Sequence, residues 1–205
     1  MATVLDEASR LRDAASALST LANQHELSLW QVAGGIYTAL GKLYSDHTGE
    51  QAHLSFLDSM ETYRTRLGAQ HLVAPALVNF ANRMLERDDI ANAGLALTQA
   101  YDVIAMSGER LYEAELLRTD AKLCIAQGRA GAKTLLERAC AVAKRQGAGL
   151  WWLRAALMLA EIHARKGQHQ DAIRVLDAPL ELMHQKRLPE VERAGELKKQ
   201  MLADS

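Results

Sequence analysis

Apolar side chains recur every three to four residues along most of the chain, and short polar turns interrupt this pattern at regular intervals. Small residues mark the period, at Gly41, Ala81, Ala121 and Ala160. Self-similarity at about 40 residues is typical of stacked helical hairpins. The pattern predicts an all-α protein, at least roughly 75% helical, in which each repeat is a helix A, a turn and a helix B.

Turn residues follow the small positions at Gly49, Asp88–Asp89, Gly128 and Gly167. Such residues suit the left-handed or capping conformation that ends a helix. Each helix B then has a triplet at positions 0, +4 and +7, which lie on one helix face and allow close packing. The triplets are Ala93, Leu97, Ala100; Ala132, Leu136, Ala139; Ala172, Leu176, Pro179; and a weaker version, His53, Leu57, Met60.

These markers place the A helices at about 28–46, 71–87, 110–127 and 149–166, and the B helices at about 50–67, 89–107, 130–146 and 169–187. The repeats span about 28–68, 70–108, 109–147 and 148–187, and the first three close on Gly68, Gly108 and Gly147. We expect one repeat domain over residues 1–205. Pro179 is expected to kink or break the last B helix.

The two ends of the chain depart from the repeat. Residues 3–24 predict a B-type helix without an A partner, with a stripe formed by Leu11, Ala15, Leu18 and Ala22. An upstream repeat or a homodimer partner would cover its outer face, for which Val4, Leu5, Ala8 and Leu11 are available. Residues 189–203 predict a charged capping helix with Val191, Leu197 and Met201 facing inward.

Composition and charge narrow the range of possible functions. The chain is 49% hydrophobic but only 5% aromatic, a helical composition, and its net charge of −1 favours neither nucleic acid nor an anionic membrane as a partner. Two cysteines, Cys124 and Cys140, are expected to be buried thiols that form no disulfide. The N-terminus lacks the apolar run of a signal peptide, and no apolar stretch is long enough to span a membrane, so we expect a cytoplasmic protein.

The tandem pattern resembles tetratricopeptide repeats (TPRs), with each unit about five residues longer than the usual 34. The segments Gly108–Arg118, Leu123–Gly128 and Ala141–Gly147 resemble the C-terminal repeat region of bacterial signalling proteins. In that group the region follows an ATPase module of the STAND type, often preceded by a winged-helix or cyclase domain. MalT-like transcriptional regulators have a related arrangement.

The resemblance implies a right-handed superhelix of about four hairpins that serves as a sensing, autoinhibitory or assembly surface. Its relatives' catalysis and DNA binding do not carry over to these 205 residues. Neither Gly34–Gly35 nor Gly128–Gly131 is followed by the Lys-Ser or Lys-Thr of a phosphate-binding loop, and no cyclase or helix-turn-helix segment is present.

Alignment of the repeats predicts a concave groove lined by A-helix side chains. The row Lys42, Asn82 and Lys122 has the chemistry to hold a carboxylate, and we expect the groove to bind an acidic protein or peptide segment. Because groove positions are exposed, their replacement should change folding stability little. The Glu115 and Arg118 side chains, three residues apart on one helix, equally fit a local ion pair. The candidate site is Lys42, Asn82, Glu115, Arg118, Lys122 and Arg154, with Glu161 beside it.

Tryptophans stand at the starts of A helices. Trp30, Trp151 and Trp152 suit the gap beneath the preceding B helix, but adjacent Trp151 and Trp152 cannot face one side, so one is a candidate binding hot spot. The histidines have no metal-ligand spacing and the hydroxyls form no nucleophile elbow, so we expect no metal, no cofactor and no enzyme activity. Two alternatives stay open: a stand-alone receptor for a small ligand or signalling peptide, and a self-assembling adaptor.

Overall fold

The computed structural model describes the backbone of residues 2–45 and 50–203, and the side chains of 9–44 and 51–203. Of the described residues 83% are helical and none lies in a strand, which confirms the all-α prediction. The helices are α1 (Ala2–Gln24), α2 (Ser28–Ser45), α3 (Glu50–Glu61), α4 (Val73–Glu86), α5 (Ile90–Ser107), α6 (Glu113–Ala126), α7 (Ala132–Gln146), α8 (Gly149–Ala164), α9 (His169–Met183) and α10 (Pro189–Ala203).

The chain divides into two compact units, Met1–Glu109 and Arg110–Ser205. The division in the sequence falls one residue after the predicted boundary between the second and third repeats. Within the second unit, α6 packs against α7, and α8 packs against α9. Helix α7 also packs against α8, and the A-type helices contact one another in the order α6, α8, α10. Each hairpin of this unit therefore shares its core with the next element along the chain.

In the first unit, α2 packs against α1 and α3, and α4 packs against α5. Helix α3 ends in a π-helical turn, Thr62–Arg66, that periodicity does not predict. Its Tyr63 is fully buried, and its hydroxyl lies 3.0 Å from Nε2 of His71. Phe56 of α3 stacks on Phe80 of α4, with ring centroids 4.5 Å apart. An aromatic core thus joins the first two repeats.

The predicted turns have the expected backbone. Asp88 has φ 60°, and the side chain of Asp89 caps α5 by accepting a hydrogen bond from the Asn92 backbone amide. Gly128 and Gly167 have φ of 63° and 68°, a left-handed conformation that costs other residues more than glycine. Gly49 lies outside the described residues. The closing glycines, Gly68, Gly108 and Gly147, also have positive φ.

The small positions and three triplets are buried as predicted. In the first repeat Met60 is buried as predicted, but the other two positions of the triplet were placed one residue too late. Leu57 is 45% exposed, whereas Phe56 is fully buried and Ala52 is 6% exposed. The inward-facing row of α3 therefore begins at Ala52 and not at His53. The physical reason is the stack on Phe80, in which an aromatic ring fills the place of the leucine found in other repeats.

Helix α1 docks closely on α2 because glycines face it. A Cβ on Gly34 would lie 2.4 Å from Oγ and 3.3 Å from Cα of Ser19, and a Cβ on Gly41 would lie 2.7 Å from Cγ of Arg12. Ala15 and Ala22, from the predicted α1 stripe, are buried. The absence of side chains at both glycines is therefore what allows the two helices to approach.

The apolar face expected on α1 lies largely outside the described residues. The side chains of Val4, Leu5 and Ala8 are not described, and Leu11 is half-buried. By helical spacing Leu11 belongs to the same stripe as buried Ala15 and Ala22, which faces α2. The homodimer through α1 stays a prediction.

The last two helices show one departure from the predictions. Helix α9 is continuous from His169 to Met183 with Pro179 inside it, so the proline does not break the helix. Pro179 is buried beside Leu176, and this packing offsets a cost that is about 3 kcal/mol in an isolated helix. Helix α10 has the predicted bounds, and Met201 is buried. Val191 and Leu197 pack partly against the same core.

Candidate functional site

The six candidate residues fall in both units. Lys42 lies on α2 and Asn82 on α4, in the first unit. The other four lie in the second unit on two helices that pack side by side: Glu115, Arg118 and Lys122 on α6, and Arg154 on α8. The structure therefore brings together the four residues of the second unit on one pair of A-type helices.

Glu115 and Arg118 form a buried ion pair. The Arg118 Nη2 lies 2.6 Å from Oε2 of Glu115, and Nε donates to both carboxylate oxygens at 3.1 and 3.0 Å. The two side chains are 5% and 10% exposed, respectively. The local ion pair that the sequence left open is thus present, and the expectation that both residues are exposed is wrong. The guanidinium has the geometry to bind a carboxylate, and Glu115 supplies that carboxylate.

Arg118 also bridges two repeats. Its Nη1 lies 3.7 Å from the sulfur of Met158 on α8, a residue that is 40 positions, or one repeat length, further along the chain. Thr119, beside it, is fully buried and donates its hydroxyl to the Glu115 carbonyl oxygen at 2.8 Å. The pair therefore stands at the contact between α6 and α8, where it has a structural role.

Arg154 is held by the C-terminal helix. Its Nε donates to Oε1 of Glu190 at 2.8 Å, and its Nη2 lies 2.6 Å from the same oxygen. Further along α8, Glu161 accepts from Arg193 of α10. Sequence reasoning found Arg154 and Glu161 but missed both partners, since only the packing of α10 on α8 brings them together.

The two candidate residues of the first unit, Lys42 and Asn82, differ in their exposure. Asn82 is 9% exposed, and its Nδ2 donates to the Val78 carbonyl oxygen of its own helix at 3.0 Å, so the expectation that it is exposed is wrong. Lys42 is exposed. Arg83, which the sequence analysis passed over, donates from Nε to the Leu43 carbonyl oxygen at 2.5 Å. Arg83 thereby ties α4 to the end of α2.

The three tryptophans are partly exposed. The rings of Trp30 and His71 are 6.4 Å apart, and those of Trp151 and Tyr112 are 5.0 Å apart, each in an edge-on arrangement. Trp152 packs against the core of the second unit, and Nζ of Lys144 lies 5.5 Å from its ring centre. Both members of the Trp151–Trp152 pair therefore combine core contacts with some exposure.

The cysteines are unpaired thiols, as predicted. Burial raises the pKa of Cys124, and burial followed by the nearby Glu137 carboxylate raises the pKa of Cys140 to about 12. Thiols in such surroundings are protonated at neutral pH and react slowly. Among the side chains of residues 9–44 and 51–203, no group of three His, Cys, Asp or Glu residues has the geometry to hold a metal ion.

Comparisons with known proteins give no family for this chain, so its function has to be argued from its own residues. The chain matches no family model, no curated protein and no solved structure. Within the described residues, no helix has the length and apolar character needed to cross a membrane.

Proposed function

We propose that the chain is a non-enzymatic, TPR-like module that binds an acidic protein or peptide segment, arranged as a right-handed superhelix of about four hairpins. The period of about 40 residues supports this, as does the way in which each hairpin of the second unit shares its core with the next element. Repeat modules of this architecture commonly bind partners on the surface formed by equivalent helices.

The observation that carries the proposal is the row of cations along α6 and α8. Arg118 and Lys122 are four residues apart and so share a face of α6, and Arg154 and Met158 share a face of α8 in the same way. The 3.7 Å contact between Arg118 and Met158 joins the two faces. Because Glu115 already neutralises Arg118, the cations that these adjacent helix faces offer to a carboxylate-bearing segment are Lys122 and Arg154.

The resemblance of three segments to the C-terminal repeat region of bacterial signalling proteins supports a proposal about the role of the chain in the cell. Its segments fall at the loop and start of α6 (Gly108–Arg118), the end of α6 (Leu123–Gly128) and the end of α7 (Ala141–Gly147). We propose a cytoplasmic sensor or interaction region of a bacterial transcriptional or signalling regulator. A stand-alone receptor or a self-assembling adaptor is the alternative, and the genes neighbouring this one discriminate between them.

The test compares partner capture by three forms of the full chain. Lys122→Glu reverses a charge on the proposed face, and Lys122 is half-buried rather than part of the buried ion pair. Arg138→Glu, on the exposed side of α7, makes the same change in charge elsewhere. Crosslinked partners from the native cytoplasm are identified, purified and titrated against each form.

Removal of one charge-assisted contact should weaken binding by about 1–3 kcal/mol, or roughly fivefold to 150-fold, in Lys122→Glu and leave it unchanged in Arg138→Glu. Equal dissociation constants for all three forms would show that the α6–α8 face does not bind the partner. Arg118→Glu is a poor probe, because it would place a second carboxylate against buried Glu115 and destabilise the fold.

A further inference from the structure

Helix α10 is joined to the rest of the second unit by charges. Two of its ion pairs reach α8, Glu190 with Arg154 and Arg193 with Glu161, and a third, Lys198 with Asp177 at 2.6 Å, reaches α9. The two pairs on α8 have opposite polarity. They therefore specify how α10 is placed along α8, because a shifted helix would bring like charges together.

The apolar contribution to this docking is small. Within α10 only Ala194 and Met201 are buried, and Val191 and Leu197 are partly covered. Helix α9, by contrast, buries Ala172, Ile173, Leu176 and Pro179. Elements with few buried apolar side chains open locally at lower free energy than the core does. Helix α10 is therefore the least firmly packed element of the second unit.

We propose that α10 is a strap that occupies the binding face of α8 and must release it before an acidic partner binds. The inference rests on the proposed function and adds its regulation. Glu190 places a carboxylate on Arg154, which is the contact that an acidic ligand would make.

Release of the strap changes the face in two ways. It breaks the Arg154–Glu190 and Glu161–Arg193 ion pairs, and it uncovers part of the core that Ala194 and Met201 share with Leu153. The open face then offers both charge and apolar surface to a partner helix or extended segment. A partner that binds only the open form gains affinity in proportion to the open population.

Hydrogen–deuterium exchange of the full chain tests the strap without any ligand. The amides of α10 should exchange at least about tenfold faster than those of α8, and faster still at high salt, which screens exposed ion pairs. Glu190→Gln should speed exchange in α10 by about 1.5-fold to fivefold, since a partly exposed pair contributes a factor of this order. Glu192→Gln, an exposed neighbour on the same helix turn, is the matched control and should change nothing.

A second arm measures competition, with a fluorescent polyglutamate peptide as the probe. The probe should bind Glu190→Gln about 1.5-fold to fivefold more tightly than the wild type or Glu192→Gln, in step with the exchange rates. Exchange of α10 at the rate of α8 overturns the strap, and so does equal binding of the probe by all three forms. Failure of the proposed function is distinguishable, because it is the loss of any difference between wild type and Lys122→Glu toward the identified partner.

Discussion

Removal of Arg118 should destabilise the second unit far more than removal of an exposed cation would. The two side chains of the pair are 5% and 10% exposed, and three N–H to oxygen contacts between 2.6 and 3.1 Å join them. Breaking such a pair leaves the carboxylate of Glu115 buried without its counter-ion, at a cost of about 3–5 kcal/mol. Arg118→Met replaces the arginine's aliphatic stem with an unbranched apolar chain, so we expect about 3 kcal/mol, the low end of that range.

The double variant Glu115→Gln/Arg118→Met removes both charges and should cost at most about 1 kcal/mol, because an uncharged pair of similar volume carries no uncompensated charge. Urea unfolding measures the difference in a Trp30→Phe background, in which Trp151 and Trp152 report on the second unit. The reasoning is refuted if Arg118→Met costs less than about 1 kcal/mol, or if the double variant equals the sum of the singles.

Three further predictions follow from the packing. Gly34→Ala should destabilise the chain by about 1–3 kcal/mol because its Cβ would collide with α1. Gly195→Ala in α10, where a Cβ meets nothing within 4 Å, should stabilise the chain by about 0.5–1 kcal/mol. Thermal unfolding compares the two variants. Burial, then the negative charges of neighbouring Tyr37 and Glu109, raise the pKa of Tyr63 from 10.0 to about 12. The folded state thus favours the protonated phenol, so its contribution to stability is complete below pH 10 and is lost between pH 10 and about 12. An absorbance titration of the tyrosines should show one phenol that ionises near pH 12, and this component should be missing in Tyr63→Phe. The thiols of Cys124 and Cys140 should react with a thiol reagent slowly in the native chain and at once in denaturant; rapid labelling near neutral pH would contradict their burial.

Most of the fold was predictable because the repeat fixes both the period and the phase of each helix. The predicted start of α8 at residue 149 and the predicted bounds of α10 agree with the structure. The errors lie where a side chain departs from the repeat. Phe56 stacks on Phe80 and shifts the first two inward positions of α3 by one residue, whereas Met60 is buried as predicted. The π-helical turn after α3 has no signature in hydrophobic spacing.

The candidate site was only partly predictable, because helix periodicity gives a residue's face but not its partner. Glu115 and Arg118 are three residues apart, so the sequence itself offered their pair as an alternative. The partner of Arg154 is 36 residues away and depends on how α10 packs on α8. Arg83 was missed for the same reason, since its acceptor is a backbone carbonyl 40 residues earlier.

These contacts constrain what a partner of the second unit must supply. Arg118 already holds the carboxylate of Glu115, and Arg154 holds that of Glu190. A partner carboxylate that displaces Glu190 exchanges one ion pair for another, which contributes little net free energy. Affinity therefore has to come from apolar contacts made at the same time. Trp151, which is partly exposed and lies three residues before Arg154 on α8, is the side chain best suited to provide them. An acidic residue flanked by apolar side chains should consequently bind this face more tightly than a uniformly acidic segment of equal charge.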